Sequence, residues 1–218
     1  ADGDLCWDVI QTSDGGFLAA GQRYTPYSDV PMEHCQGLLM KIDAAGNHLW
    51  QKTYTNDTAA AFYDVMETAE GDFLLAGYRG TYADPRYCFL KTDYMGNVIW
   101  THTVLAAGDS PFIRAYGVDT TTGGFYLVGD RRKLDVDPYV YKIADDGSLQ
   151  WIYCFTPWTN PLPELNSARA VKSTADGGCI AVGHVDWNLT TQLDAHAVKL
   201  TAAGDTVWTR NVGSGYYN

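Results

Sequence analysis

The sequence predicts an all-β repeat protein of four similar units, each made of four short strands. Three observations carry this reading. One series of anchor residues recurs four times at nearly constant spacing. Within each copy, short apolar runs are bounded by Gly, Asp and Asn, the chemistry of hairpin turns. The composition also suits a pleated sheet, with 22 Gly, 15 Tyr and 7 Trp against 15 Lys+Arg in 218 residues.

The first strand of each unit, strand A, begins at Trp7-Asp8-Val9, Tyr63-Asp64-Val65, Tyr116-Gly117-Val118 and Arg169-Ala170-Val171. A threonine and a Gly-rich turn follow: Thr12 with Asp14-Gly15-Gly16, Thr68 with Glu70-Gly71-Asp72, Thr121 with Gly123-Gly124, and Thr174 with Asp176-Gly177-Gly178. Strand B then runs Phe17–Gly21, Phe73–Gly77, Phe125–Gly129 and Cys179–Gly183. Strand C centres on Lys41, Lys91, Lys142 and Lys199. It turns at Gly46, Gly96, Gly147 and Gly204 into strand D, which carries Trp50, Trp100, Trp151 and Trp208. The valines of strand A lie 56, 53 and 53 residues apart, which gives four whole repeats at about 7–62, 63–115, 116–168 and 169–218 within one domain, 1–218.

A four-stranded unit of this length cannot bury both of its faces alone, so the units must stack or close radially. The expected architecture is a β-propeller of four four-stranded blades. The four tryptophans are expected at equivalent, largely buried places between sheets, because one large ring at one point of every copy signals a shared packing role. Gly16, Gly46, Gly96, Gly124, Gly147, Gly178 and Gly204 are expected in tight hairpin turns, several with positive φ.

Asp43-Ala44-Ala45-Gly46-Asn47-His48-Leu49-Trp50 and Asp93-Tyr94-Met95-Gly96-Asn97-Val98-Ile99-Trp100 resemble the tryptophan-docking repeats of quinoprotein propellers, with one residue fewer before Gly. The third copy keeps Gly147 and Trp151 with Asp146 nearby; the fourth keeps Gly204 and Trp208, with Thr201 in the Asp position. Thr12-Ser13-Asp14-Gly15-Gly16 and Thr174-Ala175-Asp176-Gly177-Gly178 are similar to the Asp-box turns of sialidase-type propellers, although those occupy the C–D hairpin and these the A–B hairpin. Taken whole, the chain is similar to the degenerate propeller repeats of secreted bacterial proteins. That resemblance implies a fold and an extracellular or cell-surface setting, and it brings no shared catalytic residue.

Composition removes several function classes. A net charge of −11 repels a phosphate backbone, and the longest basic run is Arg131-Arg132-Lys133, so nucleic acid is not an expected partner. No apolar run approaches the roughly 20 residues that span a bilayer, so membrane insertion is not expected either. Cys6, Cys35, Cys88, Cys154 and Cys179 form no CxxC pair and no zinc spacing, and their odd number leaves at least one thiol unpaired within the chain. Asp135-Val136-Asp137 lacks the ligand ladder of a calcium loop. His34, His48, His102, His184 and His196 are scattered over the units, so no metal is expected. No phosphate loop or nucleophile elbow occurs, no pair of carboxylates stands out, and no cofactor is expected.

The remaining clue is an asymmetry of connections. The A–B and C–D turns are tight, whereas the B–C segments (22–37, 78–87, 130–138 and 184–195) and the D–A segments read as long loops at the opposite end of each unit. Binding residues concentrate on such loops, and these contain Tyr24, Tyr27, His34, Tyr82, Arg86, Arg131, Arg132, Trp158 and Trp187, the aromatic and Arg types that anchor protein or glycan contacts. Asn56 and Asn188 stand in glycosylation triplets. The sequence thus supports a non-catalytic binding or scaffold propeller for a protein or glycan. A structural subunit self-assembling through its terminal blades into a larger ring or filament is the alternative, and a propeller hydrolase or quinoprotein is the second alternative.

Overall fold

The structure, a computed structural model, describes residues 3–24, 35–54, 59–81, 84–105, 113–132, 136–154, 167–185 and 194–213. They form β1 (Asp4–Gln11), β2 (Phe17–Tyr24), β3 (Cys35–Ile42), β4 (His48–Tyr54), β5 (Ala59–Glu67), β6 (Phe73–Thr81), β7 (Asp84–Thr92) and β8 (Val98–Leu105). The series continues with β9 (Ile113–Thr121), β10 (Gly124–Arg132), β11 (Val136–Ala144), β12 (Leu149–Cys154), β13 (Ser167–Ser173), β14 (Cys179–Val185), β15 (Asp194–Leu200) and β16 (Thr206–Val212). Each consecutive set of four is one sheet in sequential order, and the strand pairs whose register is described are antiparallel, as the repeat predicts. The chain divides into two compact units, Ala1–Ala115 and Tyr116–Asn218.

In each unit two sheets pack face to face. Leu18, Ala20 and Leu39 of the first sheet meet Phe62, Val65, Phe73, Leu75, Cys88 and Leu90 of the second. In the second unit, Tyr126, Val128 and Val140 meet Ala168, Val171, Cys179, Ala181, Val198 and Leu200. Strands B and C lie in the middle of each sheet, and β2 and β3 of the first are buried along most of their length, hence their nearly continuous apolar runs; β4 and β16 are outer strands and are mostly exposed.

Seven hairpins share one geometry, a three-residue loop closed by two backbone bonds. In the first, Gly15 N donates to Thr12 O at 2.8 Å and Thr12 N to Gly16 O at 2.9 Å. The left-handed position falls on Gly15, Gly46, Gly71, Gly96, Gly147, Gly177 and Gly204. Two expected turn glycines therefore serve another purpose: a Cβ on Gly16 would lie 2.5 Å from Ile42 O, and one on Gly178 would lie 2.1 Å from Leu200 O. Gly124 likewise opens strand β10, with its Cβ position 2.0 Å from Ile143 O. The A–B turn of the third sheet is one residue shorter, Thr122-Gly123.

A buried lysine ties strand C to the A–B turn. Lys41 Nζ donates to Thr12 Oγ1 and to Asp14 Oδ1, both at 2.9 Å, while Asp14 accepts from Gly16 N. Lys199 repeats this with Thr174 and Asp176 at 3.0 Å, and Lys91 pairs with Asp72 at 3.2 Å. The Asp-box-like turn is thus a structural clasp. In the shortened third turn no Asp is present; Lys142 instead donates to Ala202 O of the following sheet at 3.1 Å and stands over the Tyr126 ring.

Trp50, Trp100, Trp151 and Trp208 occupy equivalent places, each the cross-strand partner of that lysine. The expectation that they are largely buried is corrected: all four are intermediate in exposure, because strand D is an outer strand. Trp50 lies against the C–D turn of the following sheet, 3.1 Å from a Cβ position on Gly96. Trp151 does the same at Gly204, 3.0 Å away, and its indole N–H donates to Ala202 O at 3.1 Å.

Two outcomes are expected. Thr92 occupies the place held by Ile42, Ile143 and Leu200 in the other sheets, fully buried, with no hydrogen-bond partner for its hydroxyl among the described residues. Thr92→Val should therefore raise unfolding stability by about 1 kcal/mol in a denaturant titration, since an unmet buried hydroxyl is removed. The second outcome concerns acid. Hydrogen bonds from Thr12, Lys41 and Gly16 N hold Asp14 well below the usual 3.8, those from Thr174, Lys199 and Gly178 N do the same for Asp176, and those from Asn47 lower Asp43. A carboxylate depressed in the folded state contributes fully above its unfolded pKa and loses that contribution as pH falls through the folded value. Stability should be level above about pH 5 and fall below pH 4, and Asp14→Asn with Asp176→Asn should flatten that acid limb of a thermal-unfolding pH series.

Candidate functional site

Strand A is interrupted at one equivalent point. The register slips between Cys6 and Asp8 in β1, between Phe62 and Asp64 in β5, and between Ala168 and Ala170 in β13. The extra residues are Trp7, Tyr63 and Arg169, and Tyr116 holds the same place in the third repeat. The cause lies opposite, in strand B. A Cβ on Gly21, Gly77 or Gly183 would stand 1.9, 1.9 or 1.8 Å from the carbonyl oxygen of Leu5, Ala61 or Ser167. Only glycine lets the bulged backbone press so close, and a bulge of this kind re-aims one side chain.

The side chains at this place in adjacent sheets meet in pairs. In the first unit, Trp7 and Tyr63 have ring centroids 5.6 Å apart; in the second, the Arg169 guanidinium lies 4.3 Å over the Tyr116 ring. Trp7 is 51% exposed and Arg169 is exposed as well. From Tyr63 the aromatic contact continues to Tyr78, stacked at 6.1 Å, whose hydroxyl shares a 2.9 Å hydrogen bond with Cys35 Sγ. Tyr24 packs on the same cluster. Burial raises both the Tyr78 phenol and the Cys35 thiol above their ordinary values, so this hydrogen-bonded pair is uncharged at neutral pH.

Beside it, a cavity of about 230 Å³ lies between the outer strand of the first sheet and the second sheet, with Tyr54, Phe62, Arg79 and Cys88 on its walls. Burial pushes the Cys88 thiol up to about 12, so it is a small apolar lining group and no nucleophile. None of the five cysteines is in a disulfide: Cys6 is exposed, Cys35, Cys88 and Cys179 are buried, and Cys154 is intermediate. Among the described residues no three His, Cys, Asp or Glu side chains are placed to hold a metal ion.

Of the residues proposed from sequence, Tyr24 joins the aromatic column. Arg86 stands on β7, opposite Arg79 and Leu105, and the backbones of Arg131 and Arg132 end β10, paired with Asp137 and Val136. This corrects the expected long loops of the second and third repeats, where strands B and C run on through those segments because their backbones continue to pair past the expected ends; the connections shrink to residues 82–83 and 133–135. Tyr27, His34, Tyr82, Trp158, Trp187, Asn56 and Asn188 lie outside the described residues. The bulge residues were not singled out in the sequence. A glycine in the interior of strand B, at 21, 77, 129 and 183, is the signal that marks them. Gly77→Ala should accordingly cost about 1–3 kcal/mol by overpacking in chemical denaturation, whereas Gly71→Asn in the adjacent turn should cost well under 1, since Asn tolerates the left-handed conformation.

No family model and no curated protein matches the chain. Among solved structures, quinohemoprotein alcohol dehydrogenase from Comamonas testosteroni superposes with a TM-score of 0.51 at 10% identity, over 94% of this chain and 37% of that one. The extracellular domains 1–2 of Drosophila semaphorin 1b give 0.48 at 10% identity, over 91% and 40%. A variant of Synechocystis apocarotenoid oxygenase gives 0.44 at 12% identity, over 97% and 63%. The chain spans less than two thirds of each of these proteins, and at such identities the likeness concerns the fold. The sheet order and the first of these superpositions together make the chain an all-β protein of the β-propeller class, with four four-stranded blades.

Proposed function

We propose that this chain is a non-catalytic scaffold of extracellular or cell-surface type, which engages a protein or glycan through side chains re-aimed by the strand-A bulges and through the B–C ends of its blades. The observation that carries this reading is the repeated bulge. Each one interrupts a ladder of backbone hydrogen bonds at the same point and leaves a large aromatic or Arg side chain there, partly or fully exposed at Trp7, Tyr63 and Arg169. Bulges are retained features of binding and active sites, and Trp, Tyr and Arg are the side chains that anchor interfaces.

The opposite end of the blades supports the same division of labour. There Asp14, Asp43, Asp93 and Asp176 direct their carboxylates to their own turns or to the strand-C lysines. At the other end the half-buried Tyr24 and Tyr63, backed by the buried Tyr78, offer apolar ring faces, a surface suited to sugar rings or to a partner's side chains. The enzyme readings gain no residue from the structural likeness, which concerns the fold alone.

The test is a binding screen against immobilised polysaccharides and extracellular proteins, followed by Trp7→Ala and Tyr63→Ala. Each substitution should weaken the interaction found by about 10-fold or more, as loss of an anchor does, while the thermal transition stays nearly in place. Binding indifferent to both substitutions, or turnover of the captured molecule, would defeat the reading.

A further inference from the structure

We infer that the cavity of the first unit is a binding site for a small aromatic carboxylate. Its floor is one face of the second sheet. Phe62 and Cys88 both pair with Gly77 of β6, Leu90 pairs with Thr101, and Arg79 is two residues from Gly77, so these side chains leave the sheet on the same side. The end of β4, with Thr53 and Tyr54, closes the cavity from the first sheet. Its mouth lies between the two outer strands: Thr53, Val98 and Thr101 are exposed, Val98 by 52%, whereas Phe62, Cys88 and Leu90 behind them are buried.

The size of this space bounds the ligand. About 230 Å³ exceeds the roughly 150 Å³ that takes up benzene in an apolar core, and it falls short of the roughly 300 Å³ at which sites for drug-sized molecules begin. One ring with a short substituent is the size that fits. Tyr54 and Phe62 meet edge to face at 5.7 Å and 76°, and with Leu90 they give an apolar wall on which a ring packs. Charge selects the substituent. Among the described lining residues Arg79 is the one charged side chain, and no Asp or Glu stands with it. Burial raises the Cys88 thiol and the Arg79 charge opposes that rise, which sets the guanidinium close to the inner wall. Arg86 stands directly across from Arg79, so positive charge is doubled at this end of the face. A guanidinium has five N–H donors in a fork matched to a carboxylate, so Arg79 can hold one in addition to a neighbour within the protein.

The repeat does not require these residues. In the second unit the fourth blade receives Trp151 on its Gly204 turn, as the second blade receives Trp50 on its Gly96 turn. There His196 stands opposite Gly183 where Cys88 stands opposite Gly77, and Val185 takes the place of Arg79. A thiol in place of an imidazole leaves room, and an arginine in place of a valine supplies the cation. Both differences fall on one wall, and both favour an anionic guest. The cavity uses neither Trp7 nor Tyr63, so this site and the proposed interface can fail separately.

Titration of the full chain with benzoate, followed by amide NMR spectra, should give saturable shifts at Cys88, Leu90 and Thr101 with a Kd of about 1 mM or tighter. Benzyl alcohol keeps the ring without the charge, and acetate keeps the charge without the ring; each should bind about 10-fold more weakly or worse. Arg79→Gln should remove the preference, so that benzoate and benzyl alcohol bind alike. Thr101→Trp alters an exposed residue at the mouth, so the variant should fold and should weaken benzoate by about 10-fold or more. It carries the test alone should Arg79→Gln not fold. Benzoate that does not saturate, benzyl alcohol or acetate that binds the native chain equally well, or benzoate affinity unchanged in a folded variant would each overturn the inference.

Discussion

The two middle strands of every blade are apolar on both faces, and a sheet of four strands cannot keep both faces from water by itself. Everything else in this protein follows from that constraint. Leu18, Ala20 and Leu39 are buried because the second sheet lies on them, and Val65, Phe73 and Leu75 are buried for the same reason from the other side. The outer strand, with a neighbour on one edge only, contributes its tryptophan as a side-on anchor. That is why Trp50 and Trp151 touch glycine turns of the next blade and do not sink into its core.

Stacking so tightly leaves little room for polar groups, and the hairpin end shows how they are placed. A lysine in the middle of strand C is an unfavourable residue to bury unless it is paired. Lys41 and Lys199 are accepted because a threonine hydroxyl and a carboxylate from the adjacent turn receive their ammonium groups, and those carboxylates also take a turn N–H. The third blade tests this logic. Its A–B turn has lost one residue and with it the aspartate, and its lysine is redirected to a carbonyl of the following blade and to an aromatic face. The charge has remained and its partner has changed, so the position requires a cation with a partner and does not require one particular partner.

Much of this fold was legible in the sequence, and the failures have physical reasons. The repeat, the strand order and the hairpins could be read because turn glycines and alternating apolar residues are local signals. The burial of the tryptophans was overestimated because recurrence reports a shared role without saying which strand is outermost. Strands B and C of the second and third blades were cut short because Tyr78 to Tyr87 and Asp130 to Pro138 carry Gly, Pro and charged residues that read as loop, whereas pairing across the sheet extends both strands to the connection. The bulges went unread for a different reason. A bulge is a relation between two strands, and its only trace in one of them is the glycine at 21, 77 or 183 that yields to it.

Comparing the four copies with one another separates what the fold needs from what it leaves open. Valine in strand A, glycine in strand B, lysine in strand C and tryptophan in strand D are the same in all four; Val65 and Val171 lie in the two cores, Gly21, Gly77 and Gly183 face the bulges, Lys41 and Lys199 bind their turns, and Trp50 and Trp151 lie on a glycine turn of the next blade. The bulge position holds Trp7, Tyr63 and Arg169, three residue types in three copies, and the third repeat has Tyr116 at the aligned place. Packing cannot demand such variety at one place, since the backbone geometry there is supplied by the glycine opposite and not by the side chain. A position whose geometry is fixed and whose chemistry is free is where a repeat scaffold can acquire recognition without loss of stability. The large aromatic and cationic side chains placed there are those with the most to offer a partner.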